Sequence, residues 1–230
     1  MTDHQPIGFI GLGSMGSELA YRLAQSGVPL VIHDARPQAY ARFESMNVEV
    51  AANPAEVASR CEIVCVCLPT PAIVRHVALG PNGLQEGNAM KIYIDMSTSG
   101  PTTAKQIAEA LSVRGVQSVD TPVSGGVSGA RAGTLVLMVS GATETITKLN
   151  TLFSTLGKVS LIGSEVGQGQ SMKLINNLMA AANLALAAEA TVLGVKAGLE
   201  ADVILKTLNA GSGKNSATED RFPQYVLPRT

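Results

Sequence analysis

From residue 6 to about residue 120, short apolar runs rich in β-branched residues alternate with stretches of helical period. The runs are Ile7–Ile10, Leu30–His33, Val48–Val50, 63–68, 91–95 and 116–120. The helical stretches are 15–25, 38–45, 72–79 and 102–111. Apolar runs separated by helices read as βαβ units on a parallel sheet with both faces covered. A run at 134–140, a helical stretch at 143–156 and a short run at 158–161 extend the sheet. After Gly163 the pattern changes. Residues 168–197 form one helical stretch, roughly 45 Å long at about 1.5 Å per residue, apolar on nearly every face between Leu178 and Val195. A helix that is apolar all round must be surrounded. Only one more helix, 201–208, and a polar, proline-containing stretch, 211–230, follow it. Either a partner subunit or further C-terminal helices are expected to cover it. The chain therefore divides into 1–165 and 166–230, the second part the beginning of a helical domain.

Composition narrows the class. The 230 residues are 46% hydrophobic and 15% charged, enough to bury a sizeable core, and with 3% aromatics that core is aliphatic. The net charge of -1 gives no reason to expect nucleic acid or an anionic membrane as a partner. Asn183, Glu189 and Thr191, with Lys173 and Asn177 just before, argue against a membrane span in the long apolar helix. Cys61, Cys65 and Cys67 lie in or beside one apolar run, where alternation makes Cys65 and Cys67 small core residues. This usage suits a reducing cytosol. The first strand begins too early to leave room for a targeting segment, so a cytoplasmic location is expected. No cluster has metal-ligand spacing; His4 is terminal, His33 lies in a strand, and His76 lies on a helix with no evident partner.

The first candidate chemistry is Gly11-Leu12-Gly13-Ser14-Met15-Gly16, which follows the first strand and opens a helix. In such a turn one glycine permits the bend, the next lets the backbone approach a pyrophosphate, and the last lets helix and strand pack closely. Asp34 ends the second strand, 23 residues after Gly11, where a carboxylate can bind both ribose hydroxyls. These features predict an α/β fold with a Rossmann-type, doubly wound, mostly parallel sheet, then a long interdomain helix and an incomplete all-α domain. Asp34 favours NAD over NADP because a carboxylate repels a 2′-phosphate, and Arg36 two residues on softens that preference. Leu68, Pro69 and Thr98 follow later strands, where loops line the cofactor crevice or serve as ordinary turns.

The second candidate is Asp120-Thr121-Pro122-Val123-Ser124-Gly125-Gly126. Consecutive glycines expose backbone amides that can cradle a carboxylate, and Ser124 adds a hydroxyl. The third is Lys173, inside Gly167-Gln168-Gly169-Gln170-Ser171-Met172-Lys173, with Asn177 one helical turn on. The positive end of a helix depresses a lysine pKa in its first turn, and a lysine so tuned can exchange a proton with a substrate hydroxyl.

Taken together, residues 8–16, 120–135 and 167–177 resemble the β-hydroxyacid dehydrogenases, the group that contains 3-hydroxyisobutyrate dehydrogenase and 2-hydroxy-3-oxopropionate reductase. The resemblance implies NAD(P)-dependent oxidation of a short hydroxy acid, and the uncovered apolar helix leads us to expect a homodimer or homotetramer. It implies that Gly11 to Gly16 bind cofactor, that Ser124, Gly125 and Gly126 bind the substrate carboxylate, and that Lys173 is the catalytic acid/base with Asn177 assisting. Members of this group continue into a complete helical domain with a further lysine-aspartate motif, which this chain lacks, so it reads as a truncated form. A catalytically silent nucleotide-binding or interaction module is the alternative, against which the retention of Lys173, Asn177 and Ser124 speaks. Imine reductases and phosphogluconate dehydrogenases are weaker alternatives. The first generally replace the lysine, and the second need a basic phosphate site that is not evident here.

Overall fold

The structure, a computed structural model, describes residues 5–228. The chain forms two compact units, one ending at Lys173 and one beginning at Leu174.

The first unit is built on a nine-stranded sheet. Its strands are β1 (Ile7–Ile10), β2 (Leu30–His33), β3 (Val48–Val50), β4 (Ile63–Val66), β5 (Ile92–Asp95), β6 (Gln117–Asp120), β7 (Val123–Ser124), β8 (Leu135–Ser140) and β9 (Gly157–Gly163). They lie in the order β3-β2-β1-β4-β5-β6-β8-β7, with β9 against β8. β1 to β6 are parallel, and β8 runs antiparallel to β6 and β7. The strand order reverses between β1 and β4, which makes the carboxyl ends of those strands the crevice for a ligand. Helices α1 (Ser14–Gln25), α2 (Pro54–Arg60), α3 (Pro71–Leu79), α4 (Pro101–Ser112) and α5 (Gly126–Ala132) make crossovers or cover the faces. One apolar cluster, with Phe9, Leu19, Ile32, Ile94 and Phe153, packs one face, and a second, with Val31, Val57, Val64, Val74 and Ile107, packs the other.

Local structure departs from the sequence reading at short elements. The helix expected at 38–45 is a 3-10 helix, Pro37–Phe43, and the one expected at 143–156 breaks at Leu149 into α6 (Thr143–Lys148) and α7 (Asn150–Leu156). α2, absent from the sequence reading, is capped by Asn53, whose side chain accepts from Glu56 N at 2.9 Å.

α8 runs unbroken over Gln168–Lys196. By length and composition it is apolar enough to cross a membrane, with a mean hydropathy of 1.7. In the second unit it is joined by α9 (Ala201–Ala210) and a π-helical stretch, Ala217–Val226, where the sequence suggests only a polar tail. Ala187, Leu205, Ala217 and Phe222 form the core of this unit. Gly194 lets α9 pack closely there, since a Cβ would lie 2.5 Å from Ile204 Cδ1 and that side chain would have to shift. Much of the apolar surface of α8 remains outside, with Leu178 69%, Leu186 67% and Leu193 72% exposed.

Register places two buried carboxylates side by side, Asp95 at the end of β5 opposite Asp120 at the end of β6. Asp95 accepts from Ser97 N at 2.9 Å and from Ser99 Oγ at 2.6 Å. Burial outweighs these bonds and pushes its pKa from 3.8 up to about 6. The folded chain thus holds this proton to higher pH than the unfolded chain. The resulting stabilisation, up to about 3 kcal/mol, is fully present below the unfolded value and is lost as pH rises through the folded one. Urea unfolding at pH 5 and pH 7 should therefore show wild type losing on the order of 1 kcal/mol more stability than Asp95→Asn over that interval. Equal losses would mean that Asp95 does not titrate there.

Candidate active site

Gly11 closes β1 with a φ of +94°, and a Cβ there would lie 2.3 Å from the carbonyl oxygen of Cys67. Only glycine lets the chain turn out of the sheet so close to the next strand. Gly16 seats α1 on this turn, where a Cβ would come within 1.9 Å of the Gly11 oxygen. Gly13 differs from both. Its φ is -68°, and a Cβ would meet nothing closer than Arg36 Nη2 at 4.0 Å. Nothing inside the protein demands glycine at 13, so the bare backbone there is room for a ligand to approach. No side chain caps α1, which leaves the amides of its first turn for an outside acceptor.

Asp34 accepts from Leu12 N at 2.7 Å and from Arg36 N at 2.9 Å. Arg36 also grips its two oxygens, through Nε at 3.0 Å and Nη2 at 3.3 Å. Burial raises the Asp34 pKa, but the Arg36 side chain and the Leu12 and Arg36 amides outweigh it, so the carboxyl stays below its ordinary value. The Leu12 amide is thereby occupied, and its side chain is buried in the core. A cavity of about 570 Å3 opens over Gly11, Gly13, Ser14, Asp34, Leu68 and Pro69. Met15 and Gly16 also line it, whereas Leu12 and Thr98 do not. Another cavity, of about 490 Å3, lies at the opposite, amino ends of the strands, among Ile7, Ile63 and Ile92. The cofactor geometry belongs to the first, where the glycine turn and Asp34 meet.

β5, β6, β8 and α8 converge on a buried polar network. Asp120 Oδ1 accepts from Ser140 Oγ at 2.7 Å and from Gly167 N at 2.8 Å, and Oδ2 accepts from Gln170 N at 2.7 Å. Gly169 N donates to Ser140 Oγ at 2.8 Å. The start of α8 is thus capped by a carboxylate from another element, and burial holds that carboxyl above its ordinary pKa despite the bonds it accepts. Gln170 Oε1 accepts from Ser99 N at 3.0 Å and from Gly100 N at 3.1 Å, while Nε2 donates to Ser97 O at 2.9 Å. Ser97 Oγ accepts from Leu68 N at 2.9 Å, which joins the loops after β4 and β5. Thr98 is exposed between the buried Ser97 and Ser99.

Ser124 lies in β7, opposite Val136 of β8. Gly125 and Gly126 follow with φ values of +132° and +68°, and α5 begins there with no side-chain cap. A Cβ at Gly126 would meet nothing closer than Ser128 Oγ at 4.0 Å, so this loop, like Gly13, leaves space beside its backbone. α5 is tied to α1 through the buried Glu18, which accepts from Arg131 Nη2 and Arg42 Nη2, each at 2.8 Å.

Lys173 is half-buried on α8, with no ion pair or hydrogen bond among the described residues. Its pKa is lowered, and the cause is burial. The helix-end effect expected from the sequence does not apply: α8 begins at Gln168, so Lys173 falls in the second turn. Asn177 is one turn further on, with Asn176 Nδ2 donating to its Oδ1 at 3.4 Å.

The structure therefore gathers Gly11, Gly13 to Gly16, Asp34, Leu68 and Pro69 around one cavity. It anchors the approach to Lys173 on Asp120 and holds Ser124 against β8. Sequence reasoning missed Gln170, Ser140, Asp95 and Glu18. The one available signal was Gly167-Gln168-Gly169, a helix start with no capping side chain of its own.

Comparison with known proteins places these motifs. Residues 6–167 match the family model described as the NAD binding domain of 6-phosphogluconate dehydrogenase. Residues 167–230 match the model described as the NAD-binding of NADP-dependent 3-hydroxyisobutyrate dehydrogenase. The chain is 36% identical over 215 residues to the mitochondrial 3-hydroxyisobutyrate dehydrogenase of Mus musculus, covering 93% of this chain and 64% of that protein. It is 34% identical over 222 residues to 2-(hydroxymethyl)glutarate dehydrogenase of Eubacterium barkeri, covering 96% of this chain and 74% of that protein. The structure of Mycobacterium tuberculosis 3-hydroxyisobutyrate dehydrogenase with L-serine superposes with a TM-score of 0.87 at 30% identity, covering 96% of this chain and 75% of that one. The cofactor is accordingly NAD or NADP.

Replacing Asp34 should change which nucleotide is held. Asp34→Ser should lower the ratio of NADP to NAD dissociation constants about tenfold, the scale of one charge-assisted hydrogen bond and the repulsion that goes with it. Nucleotide fluorescence titration measures this ratio, and an unchanged value would remove Asp34 from the ribose site.

Proposed function

Since the chain belongs to the β-hydroxyacid dehydrogenase family, we propose that it moves a hydride between the carbinol carbon of a short β-hydroxy acid and a nicotinamide, with Lys173 as the proton-transfer group. The observation that supports this reading most strongly is Lys173 itself. It is a half-buried amine with no counter-ion among the described residues, on a helix capped by the residue from which the Ser124 loop departs.

The nicotinamide, when bound, supplies the two-electron acceptor of the oxidation and the donor of the reverse reaction. The protein's part follows from its own groups. The open backbone at Gly13 and the uncapped start of α1 hold the pyrophosphate, and Asp34 holds the ribose, which favours NAD. Ser124 and the amides of Gly125 and Gly126 bind the acid's carboxylate and fix its orientation. Lys173 accepts the hydroxyl proton on Nζ as the carbonyl forms and returns it during reduction. A pKa lowered by burial enlarges the neutral amine fraction that this step needs near neutral pH. The substrate is a 3-hydroxyisobutyrate-like or glycerate-like acid, and a homodimer or homotetramer covers the exposed apolar positions of α8.

Lys173→Ala should abolish turnover in a nicotinamide absorbance assay and leave cofactor affinity nearly unchanged, whereas a parallel loss of both would make Lys173 structural. Ser124→Ala should raise KM for the acid about tenfold, as expected for one hydrogen bond to a charged group, with a smaller change in kcat. An unaltered KM would remove Ser124 from the carboxylate site.

A further inference from the structure

Gln170 is fully buried, and every polar group of its side-chain amide is engaged by the loop after β5. Its backbone N–H donates to the carboxylate that ends β6. One residue thus grips two neighbouring strand ends at once. Three positions on, Lys173 projects from the same side of α8. Capping the helix needs only Asp120, so the cap does not account for the Gln170 side chain. The three bonds to the backbone of Ser97, Ser99 and Gly100 instead lock the helix to the loop that presents Thr98.

We propose that Asp120 and Gln170 are positioning residues that fix the roll and depth of the start of α8 against the ends of β5 and β6, and thereby set the Lys173 amine relative to the Thr98 and Ser124 loops. The proposal rests on Lys173 being the proton-transfer group. The lever is short. A side-chain tip about 6 Å from a helix axis moves about 1 Å for a roll of about 10°, and a misplacement of about 1 Å at a reacting centre costs about 100-fold in rate. Ser140 completes the clamp, donating to Asp120 and accepting from Gly169 N.

Gln170→Met keeps the size and helical preference of the side chain and removes all its hydrogen bonds. Two readouts are taken on it: steady-state kinetics with cofactor affinity, and the pH dependence of Lys173 acylation by a dilute amine reagent, followed by mass spectrometry of the Lys173 peptide. The expected result is a fall in kcat of about 100-fold with a much smaller change in cofactor affinity, and a Lys173 acylation midpoint shifted toward that of an ordinary lysine. A lowered melting temperature with kcat and the acylation profile unmoved would make the role merely structural and overturn the proposal. Should Gln170→Met fail to fold, Ser140→Ala is read on the same profile, a shift in the same direction supporting the clamp and none overturning it. Absence of turnover in wild type with any short hydroxy acid would refute the proposed function alone, because the acylation profile needs no substrate.

Discussion

A helix that starts against the edge of a sheet presents amides that need acceptors, and water cannot reach them once they are buried. α8 has no side chain of its own to offer, since its approach is Gly167-Gln168-Gly169. Asp120 supplies the acceptor from the end of β6. Charge-assisted hydrogen bonds offset much of the cost of burying that carboxylate, though its raised pKa shows that burial still weighs more. The neighbouring positions follow from this contact. Gly169 must be glycine, because a Cβ would lie 2.4 Å from the Met138 oxygen and 2.8 Å from Asp120 Oδ2. Gln170 is then delivered to the loop after β5, and Lys173 emerges one turn later.

The helices of the first unit start in different ways. α2 and α3 carry conventional side-chain caps, Asn53 and Thr70, which satisfy their own first amides. α1, α4 and α5 begin at Gly13, Gly100 and Gly125 with no side-chain cap, and of these α1 and α5 follow the two glycine-rich turns, at Gly13 and Gly126, where an added Cβ would meet nothing closer than 4.0 Å. The α1 and α5 turns are the sites where a pyrophosphate and a carboxylate are expected to dock. Glu18 joins the two helices beneath them. Hydrogen bonds from Arg42 and Arg131 hold its pKa down to about 2, so this tie stays ionised wherever both ligands would be anionic.

The strands of the parallel sheet were legible as apolar runs. β1 and β2 have the expected limits because residues buried on both faces leave a clear signal, and the edge strand β3, though largely exposed, keeps its β-branched valines. The short helices were not. α2 spans seven residues, and α5 arises from a glycine-rich stretch of low helical preference. Isolated helices of that length do not persist, and packing against the sheet stabilises them. Leu149, at the break between α6 and α7, is buried in the main core, and Ala217 and Phe222 of the π-helical stretch pack with Ala187 and Leu205.

Glycine at 11 and 16, Asp34 at a strand end and Lys173 on its helix could be read directly, because each answers a requirement of its local chain: a tight turn, a close approach, a spacing along a strand or helix. The clamp formed by Asp120, Ser140 and Gln170 could not. Its partners are separated by 50 residues between Asp120 and Gln170 and by 71 between Ser99 and Gln170. At the far end of these bonds stand backbone amides and carbonyls, which every residue carries and no sequence pattern marks. Periodicity pointed to the sheet, the glycine motif to the cofactor turn, and the 167–177 motif with the family resemblance to the candidate lysine. Only the tertiary structure decided which carboxylate caps α8, because that bond joins residues 50 apart in the chain.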